Sequence, residues 1–454
     1  MTEGGVHPSR IIIAGIILLA VGVTPLEMVA ADQHDPYLSD PPSYCKDPPT
    51  RPVNDSVENP DQVGEISRYQ QNQSLIKIEY TATNTSKERD FSVSLPDRSS
   101  IVRYSENLQK VSNSTLEQTK TADKYWMVYN PGTAYRGGEY PSTNDWVFAP
   151  TPEHDQEVRL EPAGTGYIGQ KILFLGEYST HQESAGCQNF IVIEPAGSEF
   201  NTQKKLGALA SSSHLLDFGE SYSTVRIFAA PYIKGDLSGF VPRFENEILL
   251  EGGSSVNSPQ NVWVHEYVHT RQWGSGGGAL SWLNEGAATY FAARTSLELG
   301  LISPLEYDRW LDSQQSYNPD TTLSEARHKR VAYKWGSVIL AESAARAYKQ
   351  GSEQTFEQEY GEIIQYSISD YGKFNDSLNR LELNQSHLNQ TRSAVFQGIR
   401  PVVDYGYQTQ VGSKAGLVLS IQDLSAQIGA VLIILGAALR AQEIDLRNLP
   451  ARLL

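Results

Sequence analysis

Cysteine is nearly absent from this 454-residue chain, and positive charge is nowhere concentrated. Its two cysteines, Cys45 and Cys187, allow one disulfide, which would need a compartment outside the cytoplasm, and a thiol nucleophile is the less favoured use of them. With 37 Lys+Arg against 53 Asp+Glu the formal net charge is −16 and no basic cluster stands out. That balance argues against nucleic acid, or an anionic membrane surface, as the partner. No internal repeat or coiled-coil heptad is evident, which excludes repeat arrays and long fibrous helices. A composition of 39% hydrophobic and 10% aromatic residues is enough to bury a large core, so the chain is not predominantly disordered and two domains are expected.

No uncharged apolar run reaches the roughly twenty residues that span a bilayer. Two shorter ones remain. Arg10 precedes an apolar stretch from Ile11 to Leu26, and Val29-Ala30-Ala31 offers small residues at a cleavage point. Residues 1–31 therefore read as an export signal, with an uncleaved N-terminal anchor as the competing reading. The second run, Leu424 to Leu439, is followed by Arg440, Arg447 and Arg452, as an outside-to-inside anchor requires. A buried terminal helix fits it equally, and extension back to Ala415 would place Asp423 in the membrane. Sequons at Asn54, Asn72, Asn84, Asn113, Asn375, Asn384 and Asn389 agree weakly with an extracytoplasmic location, secreted or anchored at the cell surface.

Between these ends, residues 32–60 are rich in Pro, Asp and Ser without periodicity and read as a linker. Residues 61–199 are strand-like: Ser74 to Tyr80 and Phe91 to Leu95 alternate apolar and polar, and Lys171 to Gly176 is a buried-strand run. From residue 200 to about 410 the pattern turns mostly helical. A helix is expected at Lys204 to Phe218, strands at Thr224 to Pro231 and Glu245 to Glu251, and further helices after Pro259, Ser281, Pro304 and Tyr333. Residues 411–454 form the C-terminal segment with its candidate anchor. The fold class expected is α+β, a β-rich domain followed by a mostly helical one.

What the chain does contain is His265-Glu266-Tyr267-Val268-His269, and sixteen residues further on Glu285 in Trp-Leu-Asn-Glu-Gly. On a helix, His265 and His269 stand at i and i+4 and project from one face, close enough for both imidazoles to bind one Zn²⁺. Glu266 beside them can take a proton from a water as it attacks a carbonyl. Ser258-Pro259 supplies an N-cap and a first helical proline, giving a helix to about Trp273, and the glycines from Gly274 to Gly278 end it. A second helix from Ser281 to about Leu299 carries Glu285 in its first turns. A short hairpin of these two helices would bring Glu285 back as a third ligand, leaving a position open for water. The alternative is two helix-surface histidines and a carboxylate packed without metal.

These residues resemble the gluzincin metallopeptidases of the aminopeptidase N type, in which an HExxH helix is followed by a WLNEGFA-like helix. The resemblance implies a thermolysin-like zincin domain, with His265, His269 and Glu285 as zinc ligands and Glu266 as the base. It implies a further role for Tyr333 in Tyr333-Lys334-Trp335-Gly336, that of the tyrosine whose hydroxyl stabilises the oxyanion. It covers about residues 200 to 400, with its specific motifs between 265 and 336. The chain departs from the pattern twice. Fifteen residues separate His269 from Glu285, fewer than is usual in the family, so the connecting loop is shortened. The Gly-x-Met-Glu-Asn sequence, whose Glu binds the substrate's free amine in the family's exopeptidases, is missing; Glu247 or Glu251 in the stretch from Phe244 to Gly253 is a candidate substitute. The strand from Phe244 to Leu250 is expected to pair with an extended peptide or protein substrate. Trp263, Tyr267, Trp273 and Trp282 read as helix packing, and His154, His181, His214 and His328 as ordinary histidines lacking ligand spacing.

The expectation is an exported, Zn²⁺-dependent peptidase, with terminal against internal cleavage and the oligomeric state left open. The alternatives are a non-catalytic surface binding module that retains the fold, and a zinc hydrolase of a non-peptide substrate.

Overall fold

The computed structural model describes residues 60–349, apart from the internal segments 84–90, 97, 134–138, 186, 217, 220, 234–237, 243–244, 273–280 and 316–329, together with Phe356, Tyr360 and Gly361. The expected signal segment 1–31, the linker 32–60 but for Pro60, and the C-terminal segment 411–454 lie outside the described residues. Among the described residues no helix is long and apolar enough to cross a membrane.

The described residues begin with a stack of sheets. One has five strands, β1 (Gln62–Arg68), β2 (Ile76–Ala82), β4 (Ser100–Tyr104), β7 (Lys124–Asn130) and β10 (Val158–Pro162), in the order β10-β1-β2-β7-β4. A second has the order β5-β6-β3-β9, built from β3 (Ser92–Ser94), β5 (Leu108–Lys110), β6 (Thr115–Gln118) and β9 (Glu153–His154). Alternation explains why these segments pair: Ile76, Ile78 and Tyr80 of β2 are fully buried, while Lys77 and Glu79 between them face outward. The inward rows meet in one core that includes Phe91, Leu116, Met127 and Tyr129.

A three-stranded sheet, β8 (Val147–Pro150), β11 (Gly166–Ile168) and β12 (Ile172–Leu175) in the order β11-β12-β8, then packs on a mixed sheet that carries the rest of the molecule. The mixed sheet runs β13 (Tyr178–Ala185), β14 (Gln188–Pro195), β15 (Thr224–Ala230), β17 (Glu247–Glu251), β16 (Gly239–Phe240), with β14, β15 and β17 parallel and both outer strands antiparallel. The expected boundary between residues 199 and 200 falls within this sheet's span, since β13 and β14 precede it. Cys187, at the turn joining those two strands, is disulfide-bonded.

The central strands are apolar on both faces because both are covered. Ile193, Phe228 and Leu249 meet Phe148, Ile172 and Phe174 of the three-stranded sheet. Val192, Ile227, Ile248 and Leu250 meet the helices. Those helices are α1 (Thr202–Leu215), α2 (Val262–Arg271), α3 (Ser281–Glu298), α4 (Pro304–Gln315) and α5 (Arg330–Lys349). The architecture is mixed α/β with a β-rich region at its start. The helical part is thus built around a sheet whose later strands the sequence also showed.

Candidate active site

Asn261 starts α2. Its side-chain oxygen accepts the Val264 N–H at 3.3 Å and its amide donates to Ser296 Oγ of α3 at 3.3 Å. Ser258 and Pro259, expected to cap and open this helix, lie in a turn ahead of it in which Ser258 Oγ accepts the Gln260 N–H at 3.1 Å. The cap falls later because Asn261, fully buried, satisfies both the N3 amide and the neighbouring helix. The opposite face of α2 is pinned to the sheet. Trp263 and Tyr267 are fully buried, Tyr267 donates to Gln188 Oε1 of β14 at 2.5 Å, and Arg271 donates to the Phe218 carbonyl at 3.1 Å. Trp273 and the side chain of Trp282 lie outside the described residues.

With that face fixed, helical periodicity turns His265 and His269 to the other side, their rings 4.9 Å apart and nearly perpendicular. Glu285, in the first turn and a half of α3, completes a group in which one donor atom from each of the three lies within 4.8 Å of the others. Glu285 Oε2 is 3.6 Å from His265 Nε2 and 3.4 Å from His269 Nε2. Donors at zinc bond lengths on a tetrahedron stand about 3.3 Å apart, so two imidazoles and a buried carboxylate fit the ion in chemistry and in size. Burial pulls the His269 imidazole down, but Glu285, with Glu266 behind it, outweighs that and holds it above its ordinary value.

Two glycines bring the remaining groups in. A Cβ on Gly286 would stand 2.5 Å from Gly336 Cα, so α3 and α5 cross at backbone contact. Gly286 follows Glu285 and Gly336 lies one turn after Tyr333, so the crossing delivers Tyr333 to the site. Its ring stacks against His265 at 5.9 Å and 20°. Gly239 does the same for Glu266: a Cβ there would be 2.8 Å from Glu266 Cγ and 3.0 Å from its Oε1. Strand β16 therefore runs directly over the Glu266 carboxylate, which is 6% exposed.

Two expectations about the upstream strand are corrected. Glu247 does not face a substrate: it is fully buried, accepts the N–H groups of Gln170, Lys171 and Ile172 at 2.6, 2.8 and 2.8 Å, and pairs with Arg226 at 3.5 Å. Burial pushes this carboxyl up, against those backbone bonds and the guanidinium. It clamps the three-stranded sheet to β17. Glu251 ends β17 and is half-buried. β17 itself is already paired on both sides, along Glu247–Glu251 by β15 and at Leu249 and Leu250 by β16. Among the described residues the sheet ends in β13 on one side and β16 on the other, and β16 is the edge beside Glu266.

Sequence reasoning passed over Gly239 and Gln272. Gln272, the residue after α2, has its side chain against His269, yet no single-sequence pattern marks a glutamine three positions beyond a histidine. Gly239 carried a signal that went unused, a lone glycine beginning a strand. Of the other histidines, His154 bonds Tyr80 Oη at 2.9 Å and His181 lies 3.1 Å from Glu194; neither is near the group, and His328 lies outside the described residues.

The fold resembles that of solved structures. The structure matches an aminopeptidase N family protein from Idiomarina loihiensis with a TM-score of 0.53 and 11% identity, over 74% of this chain and 75% of that one. The likeness is one of fold. Weaker matches are an M1 zinc metallopeptidase from Deinococcus radiodurans (TM-score 0.44, 12% identity, 72% of this chain and 90% of that one) and Legionella pneumophila aminopeptidase A in complex with aspartic acid (0.39, 11%, 75% and 50%). No protein-family model matches the sequence, and no curated protein sequence does.

Proposed function

We propose that the protein is an exported zinc-dependent metallopeptidase that hydrolyses peptide bonds. The observation that carries the reading is the convergence of His265, His269 and Glu285 within 4.8 Å, beside Glu266 and Tyr333. His265, His269 and Glu285 would hold the ion, which supplies Lewis acidity for the carbonyl and for the attacking water.

The chain's own groups do the rest. Glu266, the base, takes the proton of the attacking water and returns it to the leaving amine. Tyr333 donates a hydrogen bond from its hydroxyl to the carbonyl oxygen as negative charge develops there. An extended substrate adds to the open edge of β16 by main-chain hydrogen bonds, and the bare Gly239 lets the β16 backbone lie close to Glu266. No free amine is required by any of these groups, so N-blocked peptides belong in the assay beside free ones. Export is supported by Arg10 and the apolar stretch that follows it.

The deciding experiment measures zinc in the purified full-length protein beside His265→Ala, with hydrolysis of free and N-blocked peptides in parallel. One ion per wild-type chain, none in the variant, and peptide cleavage by the wild type alone is the expected result. A folded, zinc-supplied wild type without metal would leave the surface binding module. Metal without peptide cleavage, but with turnover of another carbonyl or epoxide substrate, would leave the non-peptide hydrolase.

A further inference from the structure

We propose that Gln272 is the positioning residue that presets the metal site, by fixing which nitrogen of His269 carries a proton and where α3 docks. The proposal rests on the zinc reading above for its consequence, though not for its geometry. Gln272 is fully buried, and every part of its amide is engaged: Oε1 lies 2.7 Å from His269 Nδ1, and Nε2 donates to the Asn284 carbonyl at 3.0 Å and to Tyr360 Oη at 2.7 Å.

Hydrogen-bond logic orients the whole chain of contacts. The Asn284 carbonyl can only accept, so the group facing it must be the amide nitrogen. The amide oxygen then faces His269, and because it can only accept, Nδ1 must bear the hydrogen. A neutral His269 is left with its lone pair on Nε2, the atom 3.4 Å from Glu285 Oε2 and the one a metal would take. Without the glutamine this bond no longer selects the Nδ1–H tautomer.

The second bond matters as much. Asn284 immediately precedes Glu285, so one amide holds the ligand at the end of α2 and the backbone beside the ligand on α3. Tyr360 closes the arrangement from behind: it is fully buried and packs edge-on against Phe218 at 5.1 Å. Its bond to Nε2 supports the amide without touching either ligand.

The test uses the full chain in two measurements. In the metal-free wild type, ¹⁵N spectra of labelled histidine at alkaline pH should show His269 protonated on Nδ1 alone. Zinc affinity, read by competition with a chromophoric chelator, should fall about 10–100-fold in Gln272→Leu. In Tyr360→Phe, which leaves the Asn284 and His269 bonds in place, it should fall by less than in Gln272→Leu. His269 carrying its proton on Nε2 overturns the proposal even if the leucine variant fails to fold. Equal zinc affinity in wild type and Gln272→Leu overturns it too, including where the variant melts earlier, because that is what a purely structural glutamine would do. A wild type that binds no zinc sinks the peptidase reading, while the tautomer alone still decides whether Gln272 orients the ring.

Discussion

His154 is half-buried between the N-terminal sheets and His269 is buried on α2, and their surroundings drive them in opposite directions. His154 sits against the rings of Tyr80 and Phe91, with centroids 5.4 and 6.2 Å away, and burial lowers its pKa from 6.5 to about 4. His269 is 6% exposed and feels the same penalty, yet Glu285 and Glu266 more than offset it. The difference lies in what faces the imidazole. Aromatic neighbours keep a histidine neutral and make it part of a core. A carboxylate at 3.4 Å gives it a site that favours a cation, which a proton or a metal can fill.

If the comparison is sound, substitutions around His269 change activity with little effect on stability, and those around His154 do the reverse. The largest effect is expected from Glu266→Gln, which should keep its zinc and lose about 10²–10⁴-fold in peptide hydrolysis. A fully active variant would remove Glu266 from the mechanism. Tyr333→Phe should cost about 10²–10³-fold in turnover with the melting temperature unchanged, as expected of one lost oxyanion donor. An unchanged rate would return Tyr333 to packing against His265.

Gly286→Ala breaks the comparison on purpose, because it acts on the site through the packing. A methyl group 2.5 Å from Gly336 Cα must push α3 and α5 apart, at about 1–3 kcal/mol in denaturant unfolding, and should lower turnover by moving Tyr333 and Glu285. Full stability together with full activity would show that the crossing is looser than described.

The smallest effect belongs to His154. The fold favours its neutral form, while the unfolded chain takes up a proton below pH 6.5. Its contribution is therefore complete above pH 6.5 and is lost as pH falls toward about 4. The loss is about 2 kcal/mol once the part of the residue that solvent reaches is discounted. His154→Phe should flatten that acid limb in urea titrations and leave peptide hydrolysis untouched. A variant with the wild-type limb would mean that other groups set the acid stability.

The site was legible to the extent that it is local. His265, Glu266 and His269 stand within five residues on one helix, so periodicity alone aligns them. Glu285 could be read because a short connection returns the next helix antiparallel. Tyr333 rested on resemblance, and its placement depends on two glycines fifty positions apart, Gly286 and Gly336, whose contact no linear pattern shows. Glu247 was misjudged for a related reason. As a carboxylate upstream of the HExxH helix it looked available to substrate, whereas the N–H groups that hold it belong to Gln170, Lys171 and Ile172, where β11 turns into β12 of another sheet. The helix cap was placed at Ser258, because a serine before a proline is a strong local signal and the Asn261–Ser296 bond is not local.

By itself the sequence determined which residues can ligate and which can take a proton, since donor chemistry and i, i+4 spacing are properties of a single helix. The tertiary structure decided which strand offers an open edge, which carboxylate is sealed between layers, and which nitrogen of His269 must carry its proton. Each of those follows from groups far apart in the chain meeting in a dry interior, where every donor needs an acceptor and every edge is either paired or open.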